Sequence, residues 1–322
     1  MILYRPFLNS DPPAIAEIWR SQHPSPGLMQ TMTAATLDEC VFSKPYFDRA
    51  GLILAIEDDK PIGFVHAGFG PTDDGSELDE TLGVTSLLLG SPHPQAPRIA
   101  VDLLAASEDY LRSRGAAVLH GGGTAQLGPF YFGLYGGSGL PGVLATDQGM
   151  LDVFEQAGYE RELYCEVQRR DLAGFRPPMD RHLMQVRREF QLGQADDPLP
   201  TDWWDGCAFG HTDRLRFLLT SKSGDGADEA AAAKASFWDI EPLASSWGVH
   251  AMGLVDFQIE QEIGTPAVAT FFLGEILRQL ASYGTTLVEI QVASRQTLLS
   301  EACQQLGFEL HDRGFCFHKR PA

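Results

Sequence analysis

The chain has 322 residues, 44% of them hydrophobic, and a formal net charge of −19 at pH 7. That length suits two domains with sizeable cores, and the absence of an apolar run of about 18 residues argues against a spanning helix. The acidity opposes nucleic-acid and anionic-membrane binding and suits cationic partners such as amines, although solubility alone would also account for it.

The N-terminal stretch lacks the basic and apolar regions of a leader. A first strand is expected over Ile2 to Phe7. Asp11 is placed to cap a helix with Pro12 and Pro13 in its first turn and Ile15, Ile18 and Trp19 on its apolar face. A second helix fits Thr33 to Phe42. Leu52 to Glu57 and Ile62 to Gly70 read as strands joined by a hairpin at Asp58-Asp59-Lys60-Pro61. Residues 71–80 read as an acidic loop, and Gly83 to Leu89 as a buried central strand. Pro97 to Arg114 is a long amphipathic helix with Ile99, Leu103, Leu104 and Leu111 inward, followed by a strand at Ala117 to His120.

Residues 121–147 are rich in glycine and aromatics. Loops this long inside a compact domain are usually functional or disordered, and the aromatic content argues against disorder. Met150 to Ala157 forms a short helix stopped by Gly158, and residues 160–170 a closing strand. A linker with Pro177-Pro178 follows. Beyond it, strands are expected at Met184 to Phe190, Leu215 to Thr220, Gly253 to Ile259, Thr286 to Val292 and Phe308 to His318. Trp203-Trp204 reads as a turn region and residues 221–228 as a polar loop. Helices are expected at Pro266 to Tyr283 and Gln296 to Leu306.

One pattern therefore occurs twice: strand, loop, long helix, strand, then a short helix ending in Gly-aromatic. The long helices stop at Gly115 and Gly284, and the closing pairs are Gly158-Tyr159 and Gly307-Phe308. Leu103-Leu104 aligns with Phe272-Leu273. The expected domains are 1–172 and 180–322, the second reduced.

This order resembles the GNAT-type N-acetyltransferases, whose signature at the long-helix start is Arg/Gln-x-x-Gly-x-Gly/Ala. The first copy reads Gln95-Ala96-Pro97-Arg98-Ile99-Ala100, with Arg98 where glycine is usual. The second reads Gly264-Thr265-Pro266-Ala267-Val268-Ala269, with Gly264 in place of Arg/Gln. Small residues there let backbone N–H groups approach a diphosphate at a helix N-terminus. The family's short-helix pattern Asn-x-x-Ala-x-x-Leu-Tyr-Glu-x-x-Gly-Phe fits residues 147–159, and less well 296–308. The tyrosine often used there as general acid is Phe154 in the first copy and Cys303 in the second.

The resemblance implies an α/β (α+β type) fold of two acyl-CoA N-acyltransferase-like units, each a mixed twisted sheet flanked by helices. The two-unit layout is similar to the mycothiol-synthase type of tandem member. It implies acetyl-CoA as co-substrate, no metal, and a primary amine of a small molecule or peptide as acceptor, attacked directly in a ternary complex. The coenzyme would lie along Leu88, Leu89 and Gly90 with residues 95–100 in the first unit. The second-unit counterparts are Phe257, Ile259, Gly264, Thr265, Ala267 and Ala269. The first unit is favoured for its fuller helix set and better signature.

Acyl transfer to an amine needs a proton acceptor and an oxyanion donor. Asp79 and Glu80 are base candidates before the first central strand, and Asp256 and Glu260 on the second; each could equally be a solvated charge. Tyr131 and Tyr135 could replace the missing acid or simply pack the insert. His120 could act near neutral pH or be structural. Gly136-Gly137-Ser138-Gly139-Leu140 falls short of a nucleophile elbow, no phosphate-loop or dinucleotide fingerprint occurs, and His182, His211, His250 and His318 make no metal spacing with the cysteines. Five scattered cysteines suit a reducing cytoplasm. A monomer or homodimer is compatible with a tandem chain. The alternative to an enzyme is a degenerate acyl-CoA-binding or interaction protein.

Overall fold

The structure, a computed structural model, describes residues 1–25, 27–195, 200, 202–210, 212–222, 231–240, 244 and 247–320. Two compact units emerge. The first is Met1–Tyr164 with Pro200–His211 and Arg313–Ala322; the second is Cys165–Leu199 with Thr212–Asp312. This division crosses the linear boundary expected from the sequence, because each unit's sheet takes its last strand from a segment assigned by sequence order to the other.

In the first unit β1 (Leu3–Pro6), β2 (Leu52–Glu57), β3 (Lys60–Pro71) and β4 (Leu78–Gly90) pair antiparallel in that order. The β2–β3 turn has positive φ at Asp58 (48°) and Asp59 (62°), the left-handed pair that a tight hairpin requires. β4 then pairs parallel with β5 (Val118–Gly121) after the crossover helix α3 (Ala96–Arg114). On the far side of β5, residues 317–319 of the last strand of the chain, β13 (Glu309–Lys319), pair with residues 119–121. β6 (Val143–Leu144) also joins β13.

Helices α1 (Pro12–Arg20), α2 (Ala34–Leu37) and α4 (Gln148–Gln156) complete the frame. Asp11 sits at the α1 N-cap, but its carboxylate does not cap the helix. It accepts instead from Leu8 N–H (2.7 Å) and from both arms of Arg5 (2.7 and 2.8 Å), while its carbonyl receives the first helical N–H groups. The loop expected at 71–80 shrinks to 72–77, since both flanking strands run further.

The insert is a packed layer. Phe130, Tyr131, Phe132, Leu134 and Tyr135 are all buried. Its backbone is tied to the segment after α1 through Met29 N–H to Leu134 O (2.9 Å) and Gly136 N–H to Gly27 O (2.7 Å). The Trp203-Trp204 stretch, expected as a turn, is helix α6 (Trp203–Phe209), capped by Asp202 accepting from Asp205 N–H (2.8 Å). It belongs to the first unit. Trp204 donates to Ala125 O (3.1 Å), and Phe209 meets Phe132 edge-on at 4.7 Å.

In the second unit residues 165–171 of β7 (Glu160–Asp171) pair antiparallel with β12 (Leu287–Ala293), which runs parallel to β11 (Ala251–Ile259). β10 (Ala233–Asp239), β9 (Arg214–Ser221) and β8 (Phe190–Ala195) follow antiparallel. The strand expected over Met184 to Phe190 is corrected to helix α5 (Arg181–Glu189) followed by β8. Asp180 caps α5 through Leu183 N–H (2.8 Å), and Leu183 and Val186 lie on one buried face at helical spacing. β10 was not anticipated. Helices α7 (Pro266–Ser282) and α8 (Thr297–Gln305) occupy the expected places. Phe217, Phe237, Phe272, Ile276, Leu277 and Ile290 form its core. Residues 223–228 of the expected polar loop, and His211, lie outside the described residues.

Candidate active site

The first unit contains a cleft at the point where its sheet opens. β4 and β5 stay paired only as far as Thr85 and Gly121. A bulge at this point puts Ser86 out of register, since Leu87 faces His66 and Thr85 faces Ala67 across β3. Bulges bend a strand and raise its twist. Leu87 to Gly90 therefore keep β3 as partner on one side and have no strand partner on the other, where Gln22 takes the Gly90 carbonyl.

The resulting cleft has a volume of about 350 Å³. Of the expected coenzyme residues, Leu88, Leu89, Gly90, Ala96, Pro97, Ile99 and Ala100 line it. Gln95 and Arg98 do not. Gln95 is the α3 N-cap and makes no side-chain cap, and Arg98 is an exposed side chain loosely paired with Asp102 (3.8 Å). At the start of α3 Pro97 has no donor, and the Gln95 and Ala96 N–H groups go to His93 Nδ1 (3.1 Å) and His93 O (3.0 Å), so of the first-turn amides Arg98 N–H is the one left for an anion. Gln22 also lines the cleft and donates to Gly90 O (3.0 Å) and Ile18 O (2.7 Å), bringing the end of α1 to the β4 edge.

The opposite wall is α4, through Gly149, Met150, Asp152, Val153 and Gln156, with Asp147 at its N-cap. Asp147 Oδ1 accepts from Met150 N–H and Oδ2 from the Tyr135 hydroxyl, each at 3.2 Å. The Tyr135 oxygen accepts from Leu144 N–H at 3.1 Å. Burial pushes the Asp147 carboxyl above the usual aspartate range, against the pull of those two hydrogen bonds. Neither Asp147 nor Gln22 stood out in the sequence. The signal available for Asp147 was its cap position before the short helix; nothing marked its place in a cleft.

The other expected groups are dispersed. Glu80 lies in the first turn of β4, roughly 25 Å along the strand from Leu88 at strand rise, where it is paired with Arg114. Asp79 holds Thr81 through two hydrogen bonds, which depress its carboxyl. His120 is lowered by burial and by the nearby His318. Phe154 is buried, stacked against Phe317 and in edge contact with Tyr159. Tyr131 is buried beside Trp19, its hydroxyl 2.9 Å from His66 Nδ1. Ser138 is fully buried, as a nucleophile would not be.

The corresponding cleft of the second unit measures about 170 Å³, lined by Phe257, Ile259 and residues 295–299. At the α7 N-terminus the Thr265 hydroxyl already accepts from Val268 N–H (3.3 Å), and Pro266 lacks a donor. Two of the N–H groups an anion would need are thus spoken for. Gly264 precedes Thr265 outside the helix, Ala267 is half-buried on its first turn, and Ala269 is buried in the core. Glu260 follows β11 on the surface and does not line this cleft. Cys303, at the tyrosine position, is buried and its thiol pushed up to about 12 by burial. Ligand pockets usually span about 300–1,000 Å³; of these two clefts the first-unit one reaches that size.

Among solved structures, the chain superposes over its whole length on acetyltransferases. A glucosamine N-acetyltransferase region of a fungal multi-domain beta-N-acetylglucosaminidase, GCN5-related, aligns with 99% of this chain at TM-score 0.70 and 14% identity; the chain spans 38% of that protein. A tandem GNAT protein of the clavulanic acid biosynthesis pathway aligns over 100% of both chains at TM-score 0.64 and 14% identity. The chain has the tandem GNAT fold. A GCN5-related N-acetyltransferase of Sphaerobacter thermophilus gives TM-score 0.60 at 14% identity, over 100% of this chain and 96% of the other. No family model matches the sequence, and no curated protein matches it significantly. Among the described residues no group of three or more His, Cys, Asp or Glu could hold a metal, and no helix is long and apolar enough to cross a membrane. The five cysteines are free thiols.

Proposed function

We propose that this protein is an acetyl-CoA-dependent N-acetyltransferase whose acyl-donor site is the first-unit cleft, acting on a primary amine of a small molecule or peptide. The observation that carries this is the β4 edge that β5 leaves beyond the Ser86 bulge, in a cleft of about 350 Å³ shared with the start of α3. The strand edge suits an extended amide-bearing arm, and the α3 N-terminus, with the Arg98 charge in its first turn, suits a diphosphate. Leu88, Leu89 and Gly90 would offer backbone donors to the acyl oxygen. The overall charge of −19 favours a cationic amine. The glucosamine N-acetyltransferase region of the fungal neighbour makes glucosamine a first acceptor to try.

Calorimetry with acetyl-CoA tests the reading. One site per chain is expected, weakened about tenfold or more by Arg98→Glu and abolished by Ala100→Trp, which fills the cleft. Absence of binding at millimolar coenzyme ends the reading. Phe154 favours a second reading, in which the coenzyme is bound without transfer; binding with no thiol release to any amine would establish that one.

A further inference from the structure

Resting on the donor-site reading above, we infer that Asp147 is the proton-handling residue of the cleft and that Tyr135 positions it. The residue usually charged with this role has no counterpart, since Phe154 carries no proton and is packed away between Tyr159 and Phe317. Two carboxylates line the cleft. Asp152 is exposed on α4 and bonded to the Gln148 side chain (2.6 Å). Asp147 is half-buried where the insert meets α4.

Among the described residues no cation lines the cleft; the charged side chain on the strand beside residues 144–145 is Arg313 of β13, whose carbonyl accepts from Ala145 N–H (2.8 Å). The cleft-lining residues of β4 and the first turns of α3 are apolar or backbone groups, apart from Ser91. The end of α1 supplies the neutral Gln22, α4 the Asp152 carboxylate and the Met150 amide, and the insert the Tyr135 hydroxyl. β6 contributes the Leu144 amide, already spent on the Tyr135 oxygen. The Tyr135 hydroxyl donates to Asp147 Oδ2 (3.2 Å). The carboxylate is therefore held in one orientation by neutral donors, and burial raises its proton affinity. Such a group suits general acid–base work better than a salt-bridged one.

The step balances within the cleft. A neutral amine nitrogen bonds to the acyl carbon and the carbon–sulfur bond breaks. One proton leaves nitrogen for the Asp147 carboxylate and passes from it to the departing sulfur, so the carboxylate is regenerated.

Asp147→Asn keeps the helix cap, because asparagine caps as well as aspartate. It is expected to bind acetyl-CoA within threefold of wild type. Thiol release from acetyl-CoA, with water and with glucosamine and other primary amines as acceptors, should fall about 100-fold. Carbon-13 titration of the aspartates, with Asp147 assigned by its loss in that variant, should show a midpoint above the ordinary value of about 3.9 that responds to saturating acetyl-CoA. Tyr135→Phe removes a bond that lowers the carboxyl, so this midpoint and the acid limb of the rate profile should both move up. A tyrosine that only packs the insert would cost stability and leave both in place. Full activity in Asp147→Asn, or an ordinary midpoint indifferent to coenzyme, overturns the inference and leaves the donor site standing. Failure of wild type to bind acetyl-CoA overturns the donor-site reading itself.

Discussion

Phe317, three residues from the end of β13, stacks on Phe154 of α4 with ring centroids 5.0 Å apart and planes 22° from parallel. Both rings are fully buried in the first unit. A strand drawn from the far end of the chain thus completes the core behind the candidate cleft, and it fixes the helix that forms the cleft wall. Phe317→Ala should cost about 3–5 kcal/mol, as large-to-small changes of buried aromatics do. Denaturant unfolding measures it, and hydrogen exchange should show β5 loosened. A loss under about 1 kcal/mol would mean that β13 is not part of this core.

The same stack makes restoration of the family tyrosine unproductive. The Phe154 ring edge lies against Gly121 in a fully buried site. Phe154→Tyr is expected to lose about 1–3 kcal/mol of stability through a buried, unsatisfied hydroxyl and to gain no activity. A rise in thiol release from acetyl-CoA would show that the ring can swing to the cleft.

His66 gives the stability a pH signature. The ring is fully buried between Phe47, Phe130 and Tyr131, and burial lowers its pKa from 6.5 to about 3. Between these values the unfolded chain binds a proton here that the folded protein does not. Stability is therefore complete above about pH 6.5 and falls as pH drops, by up to about 1.4 kcal/mol per unit. Urea unfolding at pH 7 and pH 4.5 should show the loss, and His66→Phe should shrink it. An undiminished loss in the variant would assign the effect to other groups.

Arg169 and Glu289 form a buried pair in the second unit, with Nε 2.7 Å from Oε2 and the guanidinium 4.0 Å over Trp247. Glu289 is fully buried. Arg169→Met removes the charged hydrogen-bond partner of that carboxylate and should cost about 1–3 kcal/mol, whereas adding Glu289→Leu should recover part of it. A double-mutant cycle checks this; additive losses would show that the two residues do not act as a pair.

Much of the frame was legible because it is written in local rules. The hairpin at Asp58-Asp59, the glycine stops at Gly115, Gly158 and Gly284, and the apolar stripe of α3 each follow from a few neighbouring residues. Ala96, Pro97, Ile99 and Ala100, singled out at the start of α3, line the first-unit cleft. Base candidates read from sequence fared differently. Glu80 and Leu88 sit on one strand, but strand rise separates them by more than any side chain can span. Asp147 was hidden because its importance lies in the Tyr135 hydroxyl and the β4 edge, neither adjacent to it in sequence. Helix α5 was misread because its few apolar positions fit either period in so short a segment.

The sequence by itself determined two copies of one strand–helix pattern, their caps and stops, and an aromatic insert too apolar to remain unpacked. Only the tertiary structure decided which sheet each closing strand joins, which copy opens into a ligand-sized cleft, and which carboxylate faces it. β7 and β13 follow equivalent Gly-aromatic stops, so local propensity cannot tell their partners apart. Their pairing is settled by long-range contacts, with Phe317 stacked on Phe154 in the first unit and residues 165–171 paired to β12 in the second.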